Sequence, residues 1–148
     1  MMLTTKSKYA VMGMLYIANV NHSNPVGLAE IAKKQNIALG YLEQLFNKLK
    51  VSGIVKSIKG PRGGYLLSRS LKEITIDNII DAVEENIKIT RCSSNKGCLS
   101  LNIKCSAHYL WEGLEHHIRS YFNNISLEDV ISGKLKSEVL KVKLVDQG

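Results

Sequence analysis

Acids are scarce in the first half of this 148-residue chain. Residues 1–72 hold 11 Lys and Arg against Glu30 and Glu43 alone. The second half is close to neutral, so the net charge of +7 is concentrated at the front. Such asymmetry is expected of a front that binds a polyanion. A solvated basic face is the plainer alternative, and charge by itself does not separate them. Cysteine is scarce too: there are three, all between Cys92 and Cys105. An odd number in one short stretch argues against an intramolecular disulfide framework and for a reducing compartment, so a cytoplasmic location is expected. No apolar run reaches the roughly 20 residues of a membrane span. Lys6 and Lys8 ahead of Tyr9 to Ala18 imitate a secretory leader, but turn residues up to Pro25 follow instead of a small-residue cleavage site. Repeats and low-complexity tracts are missing. No nucleophile–base pair is visible, and Gly60 to Gly64 lacks the strand–loop–helix setting of a phosphate loop, so an enzyme is the poorest fit. The length allows one compact domain, or two small lobes sharing a core.

What is there begins with helices. Thr5 can cap a first helix to about Asn19, whose broad apolar face (Tyr9, Met12, Tyr16 and neighbours) marks a buried core helix. A turn around His22 to Pro25 breaks it, and His22 reads as a loop histidine. A short helix carries Leu28, Ile31 and Ala32 and stops at Asn36. Leu42, Leu45, Phe46 and Leu49 then repeat at i, i+3, i+4, i+7, which predicts an amphipathic helix over 39–51. Two short helices joined tightly make a helix-turn-helix candidate, although any helical hairpin shows that much. Gly53 to Ile58 alternates as a strand, Lys59 to Gly64 is a turn-rich tip, and Tyr65 to Ser68 returns. A basic hairpin after the second helix predicts a wing, with Lys56, Lys59, Arg62 and Arg69 on offer to DNA. The fold class expected is therefore mainly α: a winged helix-turn-helix with a two-stranded β-hairpin wing and a long C-terminal dimerisation helix.

Beyond the wing, Thr75 caps a helix over Ile76, Ile79, Ile80 and Val83 that ends near Glu85 and Asn86. Its acids should face away from DNA. A long helix runs from Ser106 to about Asn123. Its stripe of Ala107, Leu110, Trp111, Leu114, Ile118, Tyr121 and Phe122 is too broad for one small core, so part of it should meet a second subunit. His116 and His117 lie mid-helix and read as structural. Ser126 to Asp129 matches a capping box with Asp in the last position, and Ile125 and Val130 are spaced as a hydrophobic staple. That short helix ends at Gly133. Residues 134–148 alternate Lys with Val and Leu and carry no clear signal.

Between these helices the polar stretch from Cys92 to Cys105 buries little, so something else must order it. Its spacing is Cys-x5-Cys-x6-Cys-x2-His, from Cys92 through Cys98 and Cys105 to His108. Structural zinc sites usually pair ligands through shorter knuckles. Gaps of five and six suit an iron–sulfur cluster, in which imidazole can replace a thiolate on one iron. Cys105 and His108 fall one turn apart, and a helix start favours a thiolate. Spacing leaves cluster, zinc and free redox thiols all open.

Five stretches together resemble the IscR-type iron–sulfur cluster regulators, a winged-helix repressor family of bacteria. They are residues 4–10, 41–46 (Tyr41 to Phe46), 60–65 (Gly60 to Tyr65), 90–92 and 122–127, and the resemblance covers 1–133. It implies a homodimer binding a 2Fe–2S cluster through Cys92, Cys98, Cys105 and His108, and transcriptional control of cluster-assembly genes. The chain departs from the pattern in three places. The gap before Cys105 is six where relatives commonly have five. Ala38 and Gly40 stand where relatives often carry hydroxyls, and Ala38 cannot cap, at a cost of about 0.5–2 kcal/mol. Lys59 replaces the usual Arg, giving a point charge instead of a planar fork.

On this reading residues 1–72 form the DNA-binding region, 73–133 the cluster loop and dimerisation helices, and 134–148 a tail. The helix at 39–51 is expected in the major groove of a pseudo-palindromic operator on double-stranded DNA. Tyr41, Glu43 and Gln44 are placed at its exposed N-terminal part. Gln44 can pair with adenine, and Glu43 can accept from cytosine N4 while repelling phosphate. Lys59 and Arg62 are expected in the minor groove or on the phosphates beside it. The rivals are a nitric-oxide- or iron-responsive repressor of the same family, a DNA-binding module structured by zinc, and an electron carrier or cluster-delivery protein. The last leaves the basic front and the wing unexplained.

Overall fold

The computed structural model describes residues 4–20, 23–83 and 104–147. In chain order its elements are α1 (Thr5–Asn19), α2 (Leu28–Gln35), α3 (Leu39–Val51), β1 (Val55–Ile58), β2 (Gly64–Leu67), α4 (Ile76–Ala82), α5 (His108–Asn123), α6 (Leu127–Ile131) and α7 (Lys134–Asp146). This is the mainly helical winged helix-turn-helix expected. Among the described residues no helix is long and apolar enough to cross a membrane.

One apolar core joins the front to the back. Ala10, Met14 and Ile17 of α1 meet Leu42, Leu45, Phe46 and Leu49 of α3, and Ile76, Ile79 and Ile80 of α4 complete the cluster. The i, i+3, i+4, i+7 residues of α3 are thus its buried stripe, as the period requires. Phe46 is fully buried and meets Tyr65 of the wing edge-on, with ring centroids 5.1 Å apart. The wing therefore leans on the helix it follows.

The turns show why the elements stop where they do. Asn36 adopts the left-handed conformation and ends α2, as its residue type favours. At the end of α3, Gly53 N–H donates to the Lys50 carbonyl and Ile54 N–H to the Leu49 carbonyl. This is a Schellman closure, and its left-handed residue is Gly53 at φ 76°. Because 52–54 close the helix, the strand begins at Val55 and not at Gly53. It pairs antiparallel with β2, Val55 opposite Leu67 and Ile58 opposite Gly64. Val26 adds a short third edge, exchanging backbone hydrogen bonds of 3.0 and 2.8 Å with Tyr65. β2 accordingly starts at Gly64, one residue before the position expected.

The helix starts follow local chemistry. Thr4, not Thr5, is the N-cap of α1, and its side chain makes no capping bond. Ala38 caps α3 without a side-chain bond, as a methyl group must. Thr75 and Asn78 close a reciprocal capping box at α4, and Ser126 and Asp129 close another at α6. The two boxes sit side by side. Ile76 N–H donates to the Ile125 carbonyl and Leu127 N–H to the Ile74 carbonyl, both at 2.9 Å. The hydrogen bond from the Ser126 backbone holds the Asp129 carboxyl below the usual carboxylate range. This lowered value makes the box fully effective above the ordinary Asp range and weaker as pH falls through the depressed value. Ser126→Ala removes the acceptor for the Asp129 N–H and is expected to lose about 0.5–2 kcal/mol, measured by urea unfolding, while Asp129→Asn tests the acid dependence of the box.

Two further boundaries differ from expectation, and one helix is added. α4 ends at Ala82 with Val83 as its C-cap, although Val83 remains fully buried. α5 starts at His108, because Ser106 and Ala107 form a turn, and Ala107 supplies no cap. Residues 134–146, which carried no clear signal, form α7, with none of its residues buried.

Candidate nucleic-acid interface and metal centre

The second helix of the motif, α3, turns Leu42, Leu45, Phe46 and Leu49 inward, so the opposite side must face solvent. Glu43 and Gln44 are exposed there, and so is Asn47 one turn on. Tyr41 departs from expectation. It is half-buried, with its ring edge-on to Tyr9 at 5.9 Å and its hydroxyl 3.4 Å from the Thr5 hydroxyl. The start of α1 thus fixes its position, and only part of it is open to a groove. Asn47 was not singled out from the sequence, though i+3 and i+4 spacing from Gln44 and Glu43 could have found it.

The two acids of the front have different fates. Glu30 accepts a 2.6 Å hydrogen bond from the Tyr16 hydroxyl, and this bond raises the Tyr16 pKa. Glu43 stands exposed on the outer face of α3. In the wing, Lys56, Lys59 and Arg62 are exposed, with Gly63 N–H donating to the Gly60 carbonyl to fold the tip. The front therefore presents one helix face and one basic hairpin side by side.

The cysteine-bearing stretch is described only at its end. Cys92 and Cys98 lie outside the described residues, as does His22. Cys105 is half-buried, just ahead of α5. His108, the first residue of α5, is 9% exposed, and its N–H donates to the Cys105 carbonyl at 3.0 Å. The hydrogen-bonded turn keeps the two side chains one turn apart, although the helix starts later than expected. His108 Nε2 lies 3.7 Å from Glu112 of the next turn. Among the described residues no three His, Cys, Asp or Glu side chains group as a metal site. The sulfur–imidazole chemistry of Cys105 and His108 is nevertheless what an iron–sulfur cluster takes. His116 and His117 are exposed on α5.

Within the back half, α4 and α5 are tied together by a cluster that sequence spacing did not disclose. Asp77 and Asp81 of α4 face Arg119 of α5, whose Nη2 lies 2.6 Å from Asp81 and 3.4 Å from Asp77. The acids of α4 are thus directed at α5. Burial raises the Asp77 pKa, against the lowering effect of Arg119.

The Rrf2 family, described as iron-dependent transcriptional regulator, matches residues 3–133. The HTH-type transcriptional regulator IscR of Pectobacterium carotovorum subsp. carotovorum is 44% identical over 142 residues, covering 96% of this chain and 84% of that one. The structure of T. potens IscR is 29% identical with a TM-score of 0.74, covering 90% of this chain and 88% of that one. CymR, the global cysteine regulator of B. subtilis, is 29% identical with a TM-score of 0.75, covering 89% and 97%. These relatives are regulators and not enzymes. The winged helix-turn-helix, the family match over residues 3–133 and the 44% identical relative make this protein a member of the Rrf2 family, a DNA-binding transcriptional regulator of the IscR type.

Proposed function

We propose that the chain acts in the cytoplasm as a homodimer that reads a pseudo-palindromic operator on double-stranded DNA. It reports iron–sulfur cluster supply through a 2Fe–2S cluster held by Cys92, Cys98, Cys105 and His108, and so controls cluster-assembly genes. The observation that carries this reading is the pairing of half-buried Cys105 with buried His108 at the mouth of α5, in a chain of an iron-dependent regulator family. When bound, the cluster supplies a labile, redox-sensitive crosslink through thiolate and imidazole. The chain does the rest. Residues 1–72 carry the reading surface, 73–133 the ligands and the dimer helix, and 134–148 a tail helix.

The support for a dimer is the outer side of α5. Tyr109, Leu110, Leu114 and Tyr121 are exposed large apolar residues on one long helix, a surface that a second copy related by a two-fold axis would cover. Two such subunits bring two α3 helices and two wings to one duplex. Gln44 can then pair with an adenine, and Glu43 can accept from a cytosine amino group. Asn47 lies on the same face, one turn further along. Tyr41 contributes its open edge at the helix start. Lys59 and Arg62 take the phosphates or the minor groove beside them. A cluster held beside α5 favours one arrangement of these reading heads, which is how a ligand biases a two-state regulator.

Imidazole is the one neutral donor of the set beside three anionic thiolates, so His108 is the ligand through which the cluster is released most readily. His108→Cys, loaded anaerobically, is expected to lose its visible absorption several-fold more slowly than the parent under air or chelator. An equal rate of loss would remove His108 as the labile ligand.

A further inference from the structure

The Asp77, Arg119 and Asp81 cluster uses none of the residues assigned above to DNA or to the metal. It joins α4 to α5, the two elements that flank the cysteine-bearing segment. α4 packs on α1 and α3, so α4 and the recognition helix form one body that does not need α5 to hold it together. α5 carries His108 at its start and the exposed apolar side chains further along. Between these two bodies Arg119 Nη2 reaches Asp81 at 2.6 Å and Asp77 at 3.4 Å. The residues are 38 and 42 positions apart, so the contact is tertiary and not a helix-surface pair.

Two features distinguish it from an ordinary surface ion pair. The Asp77 side chain is only 14% exposed, and its Oδ1 is buried with no hydrogen-bond partner among the described residues. Asp77 and Asp81 also stand at i and i+4 on one helix, where like charges repel. Arg119 is what allows both carboxylates to point at α5. Its planar fork can serve two carboxylates at once, which an ammonium on a flexible stem does poorly. Without it, one partly buried acid is left uncompensated and two acids face each other across one turn.

We infer that Arg119 is a positioning residue for DNA binding: it fixes the angle between α5 and the α4-backed reading head, and so sets the spacing of the two heads on a two-half-site operator. This deepens the proposed function and rests on its homodimer. The consequence is specific. Losing Arg119 leaves each reading head intact, so a single half-site is bound as before. What is lost is the gain from the second half-site, because that gain depends on both heads fitting one duplex at once.

The test uses the full-length chain and a duplex that the parent protein selects from a random library, beside the same duplex with one half scrambled. For the parent, the intact duplex should bind about a hundredfold tighter than the scrambled one. Arg119→Met, which retains an unbranched stem, should bind the scrambled duplex as the parent does but keep at most about a tenth of the parent's gain from the intact one. Arg119→Lys should show an intermediate gain. The exchanged pair Arg119→Glu with Asp81→Arg should recover part of it, a rescue that a packing defect would not show. Thermal unfolding keeps a poorly folded variant from being misread, and the exchanged pair serves where Arg119→Met folds badly. If the parent gains from the second half-site and Arg119→Met gains equally, the positioning role is overturned alone. If the parent gains nothing, the two-headed reading fails and the positioning role with it.

Discussion

Gly64→Ala is expected to cost about 3–5 kcal/mol and to lower the melting temperature by about 10 °C, with DNA binding weakened in parallel. Gly64 opens β2 at φ 154°, a conformation that side-chain-bearing residues rarely adopt. A methyl group there would stand 2.4 Å from the Val26 carbonyl carbon and oxygen and 2.8 Å from the Gly27 nitrogen. These neighbours are backbone, so no side-chain rotation relieves the clash. The bridge between Val26 and Tyr65 would have to open, and Tyr65 would lose its place against Phe46. The wing would then be held only by its own two strands, too little for an independently stable hairpin. Circular dichroism melting and a duplex-binding titration check this together. A variant with unchanged melting and unchanged affinity would show that the wing does not depend on its docking against the Val26 edge.

Glu43→Ala is expected to raise affinity for duplexes that the parent rejects by about tenfold or more, with little change on the preferred one. The reason is electrostatic. Glu43 is exposed on the reading face, while Glu30, the other acid of the basic front, is engaged by Tyr16. A carboxylate brought to a duplex meets phosphate repulsion and loses water unless a base offers a donor. Cytosine N4 is such a donor, so sites with cytosine at that position escape the penalty. Removing the carboxylate removes the penalty from all other sites. Selection from a random library with each protein reads this directly. Equal loss of affinity across all sequences would instead make Glu43 a simple contact. Gln44→Ala gives the contrast, since removal of a donor–acceptor pair weakens the preferred duplex most.

Local chemistry was well legible in the chain. The α3 stripe, the Asn36 stop and the Ser126 to Asp129 box each depend on residues within one or two turns, and each stands as read. The misplaced ends are also local. Thr4 and Thr5 offer the same side chain one position apart, and Ser106 proposes a helix start that the turn before His108 defers. Tyr41 was read as open because its spacing puts it at the start of the reading face. Its partner Tyr9 lies on another helix and no periodicity reveals it. Arg119 is the same case at greater distance, since Asp77 and Asp81 meet it only once α4 and α5 pack. α7 showed no clear pattern because it buries no residue fully, and Leu135 at its start is the α7 side chain packed partly against the core. The proposed metal centre rests on donor chemistry, three cysteines and one histidine and their spacing. Of those four, Cys105 and His108 fall within the described residues.

The measurement that bears most directly on the proposed function is anaerobic purification followed by visible absorption and counts of iron, acid-labile sulfide and zinc. The expected result is a coloured protein with charge-transfer bands and about two irons and two sulfides per chain. Cys92→Ser, Cys98→Ser and Cys105→Ser should then each lose the colour while keeping the helical circular dichroism spectrum. A colourless protein carrying one zinc per chain would contradict cluster sensing and leave a DNA-binding regulator with a structural metal.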